Sequence, residues 1–73
     1  MNKTEKARQL FLKGDHIGSL RIVSKFRNLG NHSHQIKLAM DCHNNPNFYK
    51  QLGKDTDLEV SRGIEALREF LGL

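Results

Sequence analysis

Four histidines and one cysteine are the side chains best suited to chemistry: His16, His32, His34, Cys42 and His43. A structural zinc site takes ligands from a tight hairpin and from one helical face at three- to five-residue spacing. Cys42 and His43 are adjacent, so on a helix they point about 100° apart and cannot close on one ion. His32 and His34 fall at a helix start, where solvent exposure suits them as well as a metal would. His43 follows Ile36, Ala39 and Met40 at helical spacing and reads as a hydrogen-bonded core histidine, with Cys42 as a small hydrophobe. The same adjacency denies Cys42 and His43 the geometry of a nucleophile and its base. The carboxylates of residues 55–69 stand at cap and surface positions. The six glycines fall at helix ends or singly inside a pattern, so no loop cradles a phosphate. The expectation is a protein that is not an enzyme, with no catalytic group, no metal and no cofactor.

What the chain offers instead is charge, unevenly spread. Residues 1–40 carry eight lysines and arginines against two acids, a net +6, and residues 41–73 carry four against six, a net −2. The whole is +4. A dipolar chain of this kind suits an acidic partner for its N-terminal half, nucleic acid or protein, although a solvated surface of uneven composition would look the same.

The elements that must position these charges are helices. Asn2, with Glu5 three residues on, can form a capping box, and Thr4 is a competing cap. Ala7, Leu10 and Phe11 then recur at helical spacing until Gly14. Asp15 caps a second helix with Ile17, Leu20, Val23 and Phe26 on one face, closed by Leu29-Gly30. Asn31 or Ser33 caps a third, stopped by Asn44-Asn45-Pro46. Pro46 opens a short turn carrying Phe48, Tyr49 and Leu52, ended by Gly53. Asp55 or Thr56 caps the last helix, Thr56 with Glu59 making a second capping box. Its stripe is Val60, Ile64, Leu67 and Leu71, with Leu58 and Phe70 beside it. No segment alternates with period two. The fold class is therefore all-α: one domain, residues 1–73, of four helices plus one short helical turn. A domain of 73 residues buries only about 60% of the surface its unfolded chain exposes, which leaves little room for an enclosed pocket.

No apolar run approaches the roughly 20 residues that span a bilayer. Met1-Asn2-Lys3-Thr4-Glu5-Lys6 lacks the apolar stretch of a signal peptide, and one cysteine forms no internal disulfide. A cytoplasmic monomer that does not engage membranes is expected.

Three patterns bear on partners. Gly30 and Ile36 stand at the spacing of the turn glycine and the next buried aliphatic in a helix-turn-helix. His32, His34, Gln35 and Lys37 would then face base edges, with Lys25 and Arg27 toward phosphate. Against this, Phe26 occupies a site where a small residue is usual, and one lysine with no arginine is thin for reading guanine. Ala7-x-x-Leu10-Phe11-x-x-Gly14-Asp15-x-x-Gly18-x-Leu20 matches a single tetratricopeptide-like hairpin, but without the 34-residue period a solenoid needs. Phe48-Tyr49, the one adjacent aromatic pair, reads as a lid over the core in preference to an exposed anchor.

Two stretches carry a resemblance. Ala7 to Ile22, in the pattern just given with Arg21-Ile22 added, and Phe48-Tyr49-x-Gln51-Leu52-Gly53-x-Asp55 with the amphipathic helix after it, resemble the small phage-encoded transcription regulators that bind host RNA polymerase. The likeness covers most of the chain but rests on capping and packing residues. It implies a regulator acting in the host bacterial cytoplasm, binding the polymerase near the N-terminus of its β′ subunit, inhibiting promoter-dependent initiation and favouring antitermination. Joined to the charge distribution, it makes Lys6, Lys13, Arg21, Lys25 and Arg27 the candidate partner-binding residues. The alternative is a helix-turn-helix regulator that binds DNA.

Overall fold

A computed structural model describes residues 2–73, so that Met1, the first residue of the expected domain, lies outside the described residues. The chain is all-helical: α1 (Lys3–Leu12), α2 (His16–Val23), a 3-10 turn (Gly30–His32), α3 (Ser33–Asn44), α4 (Pro46–Gln51) and α5 (Thr56–Leu71). The expected short turn after Pro46 is a six-residue helix, which makes five α-helices among the described residues. No helix among the described residues is long and apolar enough to cross a membrane.

Local capping chemistry sets most of the boundaries. The Asn2 side chain accepts from the Glu5 N–H at 2.8 Å and starts α1 in preference to Thr4. Asp15 does the same for α2 through Gly18, and Asp55 for α5 through Leu58. Thr56 is therefore the buried first residue of α5 and not its cap. Gly14, at φ +93°, reverses the chain between α1 and α2, where an L side chain would be strained. Two boundaries differ from expectation. α2 stops at Val23, well short of Leu29-Gly30, because the Ser24 hydroxyl donates back to the Arg21 carbonyl and the chain leaves the helix with Leu29 tucked into the core. Neither Asn31 nor Ser33 caps α3, which is entered through the 3-10 turn.

The main packing layer is α3 along α5, with the α1–α2 hairpin laid against it. Leu20, Val23, Leu29, Ile36, Ala39, Met40, Leu67 and Leu71 form the core, with Phe11, Ile17, Ile22, Phe26 and Phe70 partly buried against it. The buried stripe of α5 is rotated from the expected one. Glu59, Gly63, Ala66, Leu67 and Leu71 face inward, Val60 and Ile64 lie at the margin, and Leu58 is exposed. Gly63 explains the rotation: a Cβ there would collide with the Ala39 Cβ and press on the Gln35 carbonyl, so the two helices meet at a glycine. The inward face of α3 is likewise displaced, with Cys42 buried and His43 exposed, so His43 is no core histidine.

Two polar contacts hold the hairpin. The buried Ser19 hydroxyl donates to the Ala7 carbonyl at 2.8 Å, joining α2 to α1. Arg8 Nε donates to the Leu71 carbonyl at 2.8 Å, joining α1 to the last turn of α5.

Gly63→Ala tests the helix contact by its sign. Replacing glycine by alanine inside a helix ordinarily stabilises by about 1 kcal/mol. Here overpacking against Ala39 outweighs that gain, and a net loss of about 1–2 kcal/mol is expected in urea denaturation. A gain in stability would show that α3 and α5 do not approach this closely.

Candidate basic cleft

The hairpin brings the first turn of α1 beside the last turn of α2, because Gly14 and Asp15 turn the chain back on itself. Lys3 and Lys6 lie one turn apart on one face of α1, Arg21 lies in the last turn of α2, and Lys25 lies in the turn that follows it. Together with Ile22 and Phe26 these four cations line an open cleft of about 410 Å³. The aromatic ring of Phe26 stands edge-on to that of Phe70, centroids 6.2 Å apart, which fixes the cleft's apolar floor to α5.

Three of the five candidate residues, Lys6, Arg21 and Lys25, therefore meet in one place. Lys13 and Arg27 do not: Lys13 is the exposed C-cap of α1, at its far end, and Arg27 is exposed in the connector between α2 and the 3-10 turn. Lys3, which the charge distribution alone does not single out, completes the cleft. The signal for it was its three-residue spacing from Lys6.

No acid among the described residues pairs with any of these four cations. Among the described residues Arg62 pairs with Glu59 and Arg68 with Glu65, Glu69 lies against the His32 imidazole, and Arg8 is held by the α5 carbonyl of Leu71. Four like charges around a concavity with low-dielectric walls concentrate positive potential there, and an anion relieves their mutual repulsion.

The surface expected to read DNA is differently arranged. Of the four side chains assigned to base edges, His32 pairs with Glu69 at 3.5 Å, and Gln35 Nε2 donates to the Glu59 carbonyl at 3.2 Å. His34 and Lys37 remain, lining an open groove with Asp41 and Tyr49, whose hydroxyl donates to Asp41. Gly30 has the left-handed φ, +59°, and Ile36 the burial that a helix-turn-helix needs. Residues 24–32, however, separate α2 from α3, more than the usual three- or four-residue turn.

The titratable side chains outside the cleft are dispersed. His16 stacks on Phe11, centroids 4.3 Å apart. Among the described residues no three of His, Cys, Asp and Glu are grouped as a metal ion would require. Cys42 faces inward while His43 faces solvent. Phe48 is no lid: it is 57% exposed, on the same face of α4 as the exposed Leu52, and Tyr49 is the member of the pair that turns inward.

Comparison with family models, curated proteins and solved structures finds no match to the chain.

Burial, reinforced by Glu59 and Asp41 against the opposing Lys54, pushes the Cys42 thiol above its ordinary 9.0. Partial burial and the Asp41 carboxylate push the Tyr49 phenol above its ordinary 10.0. Both groups hold their protons longer in the folded chain than in the unfolded one. Their contribution to stability is thus complete below pH 9.0 and is lost as pH rises through the raised values. The urea midpoint should fall on the alkaline side, and Cys42→Ala combined with Tyr49→Phe should flatten that fall. A midpoint that falls equally in the double variant would contradict the assignment.

Proposed function

We propose that this chain is a phage transcription regulator that binds host RNA polymerase through the basic end of its α1–α2 hairpin. In this reading it has no active site and acts sterically, shifting the polymerase away from initiation-competent promoter complexes and favouring antitermination. The observation that carries the reading is the cleft lined by Lys3, Lys6, Arg21 and Lys25 with no acid paired to it, in a protein whose other half is net acidic. Such a surface suits association with a large, acidic assembly, because long-range attraction speeds encounter and orients the small partner. The resemblance to polymerase-binding phage regulators supplies the choice among acidic partners and the region near the β′ N-terminus as the contact. The helix-turn-helix alternative has the Gly30–Ile36 geometry in its favour, but two of its four base-reading side chains are engaged within the fold.

A pull-down from bacterial lysate, run with and without nuclease, separates these readings. Recovery of polymerase subunits should survive nuclease and fall about tenfold or more when Lys6 and Arg21 are both replaced by glutamate. With purified components, promoter-dependent initiation should drop and terminator read-through should rise. Recovery of DNA alone, or polymerase recovery that vanishes with nuclease, would transfer the function to the DNA-binding reading. In that case log affinity should fall steeply with log salt concentration, and a glutamate at Lys37 should abolish binding.

A further inference from the structure

The cleft is not merely a positive patch. Its floor is Ile22 and Phe26, two apolar side chains left half-buried between the cations. Ile22 lies next to Arg21 in the last turn of α2, and Phe26 next to Lys25 in the turn that follows it, so the apolar pair and the charged pair sit side by side across the end of the helix. Lys3 and Lys6 form the opposite rim from α1. Phe26 packs edge-on against Phe70, which joins the floor to α5. A partner with charge alone would satisfy the rims and leave the floor wet. A partner with an apolar side chain alone would have to drive away the water around four unpaired cations.

We infer that the cleft takes a short acidic protein segment that carries one aliphatic or aromatic side chain, its carboxylates on the rims formed by Lys3, Lys6, Arg21 and Lys25 and its apolar side chain against Ile22 and Phe26. Charge complementarity selects the segment, since no acid among the described residues pairs with the rim cations. The apolar floor selects against a smooth polyanion, because a phosphate backbone offers it nothing to bury. The inference rests on the polymerase reading for the source of the segment and goes beyond it in naming the chemistry of what is bound.

The test needs no polymerase, so its failure is distinct from a failed pull-down. The labelled full-length chain is titrated with three probes and followed by NMR at low salt. One is a short synthetic peptide of aspartate and glutamate with a central leucine, the second the same peptide with alanine for leucine, and the third a single-stranded oligonucleotide. The leucine peptide should move the resonances of Ile22 and Phe26 together with the cation-bearing residues, and should bind about tenfold more tightly than the alanine peptide. Arg21→Glu with Lys25→Glu, both at exposed positions, should weaken binding by about tenfold with the melting profile of the wild type. Equal affinity for the two peptides would overturn the apolar floor's role. Perturbations centred on His34 and Lys37 would overturn the location, and tighter binding of the oligonucleotide would make the cleft a nucleic-acid site. Concentration-dependent shifts of the same residues without any probe would make the occupant a second copy of the chain. If polymerase binds in the pull-down but the peptides do not, the polymerase reading stands and this inference falls.

Discussion

α3 and α5 approach so closely that residue 63 has no room for a side chain. Ala39 fills the space that a Cβ on Gly63 would take. With the backbones this near, Gln35 reaches across to the Glu59 carbonyl, and the face of α5 that turns inward becomes the one containing Gly63, Ala66 and Leu67. Everything on the other side of the protein is placed relative to this pair. The last turn of α5 presents the Leu71 carbonyl to Arg8, and Phe70 to Phe26 and His32. The hairpin that carries the basic cleft is thus oriented by contacts with the end of a helix whose rotation is set at its middle.

This explains which features were legible in the sequence. Asn2, Asp15 and Asp55 act on N–H groups three residues away, so their effect is local and their types announce it. The starts of α1, α2 and α5 follow from such signals. The rotation of α5 does not. Val60 and Ile64 are more apolar than Glu59 and Gly63, so a pattern read by hydrophobicity centres on the former pair. What wins is steric, because the facing helix can come closer over glycine and alanine than over β-branched residues. On α3, too, Cys42 is buried and His43 exposed. The end of α2 was hidden for a different reason. The Ser24 hydroxyl competes for the Arg21 carbonyl, and the gain from burying Leu29 is tertiary.

The candidate site was half legible. Lys6, Arg21 and Lys25 stand out as cations in the basic half of the chain, but only the antiparallel hairpin shows that they converge and that Lys13 and Arg27 point elsewhere along the protein. Lys3 belongs with Lys6 by spacing alone. What no count of charge could show is how the acids are used. On α5, Glu59 and Glu65 pair with Arg62 and Arg68, and Glu69 lies 3.5 Å from the His32 imidazole, so the two arginines of that helix are matched where they stand. Four of the eight lysines and arginines of residues 1–40 meet at the place where the fold also leaves Ile22 and Phe26 half-buried.

Placing charge and apolar surface in the same cleft divides the work of association between them. Screening reduces interactions between exposed charges separated by more than a Debye length, about 8 Å at physiological ionic strength. Rim cations such as these accelerate encounter and orient the partner, and each contributes little to holding it once docked. Retention has to come from surface that loses its water on docking, and Ile22 and Phe26 are the groups at the cleft able to supply it. On the proposed reading, a protein this small competes for a site on a much larger assembly. It gains rate from its hairpin's charge and residence time from the two side chains beneath it, and the two quantities can be altered independently because the residues that set them are different.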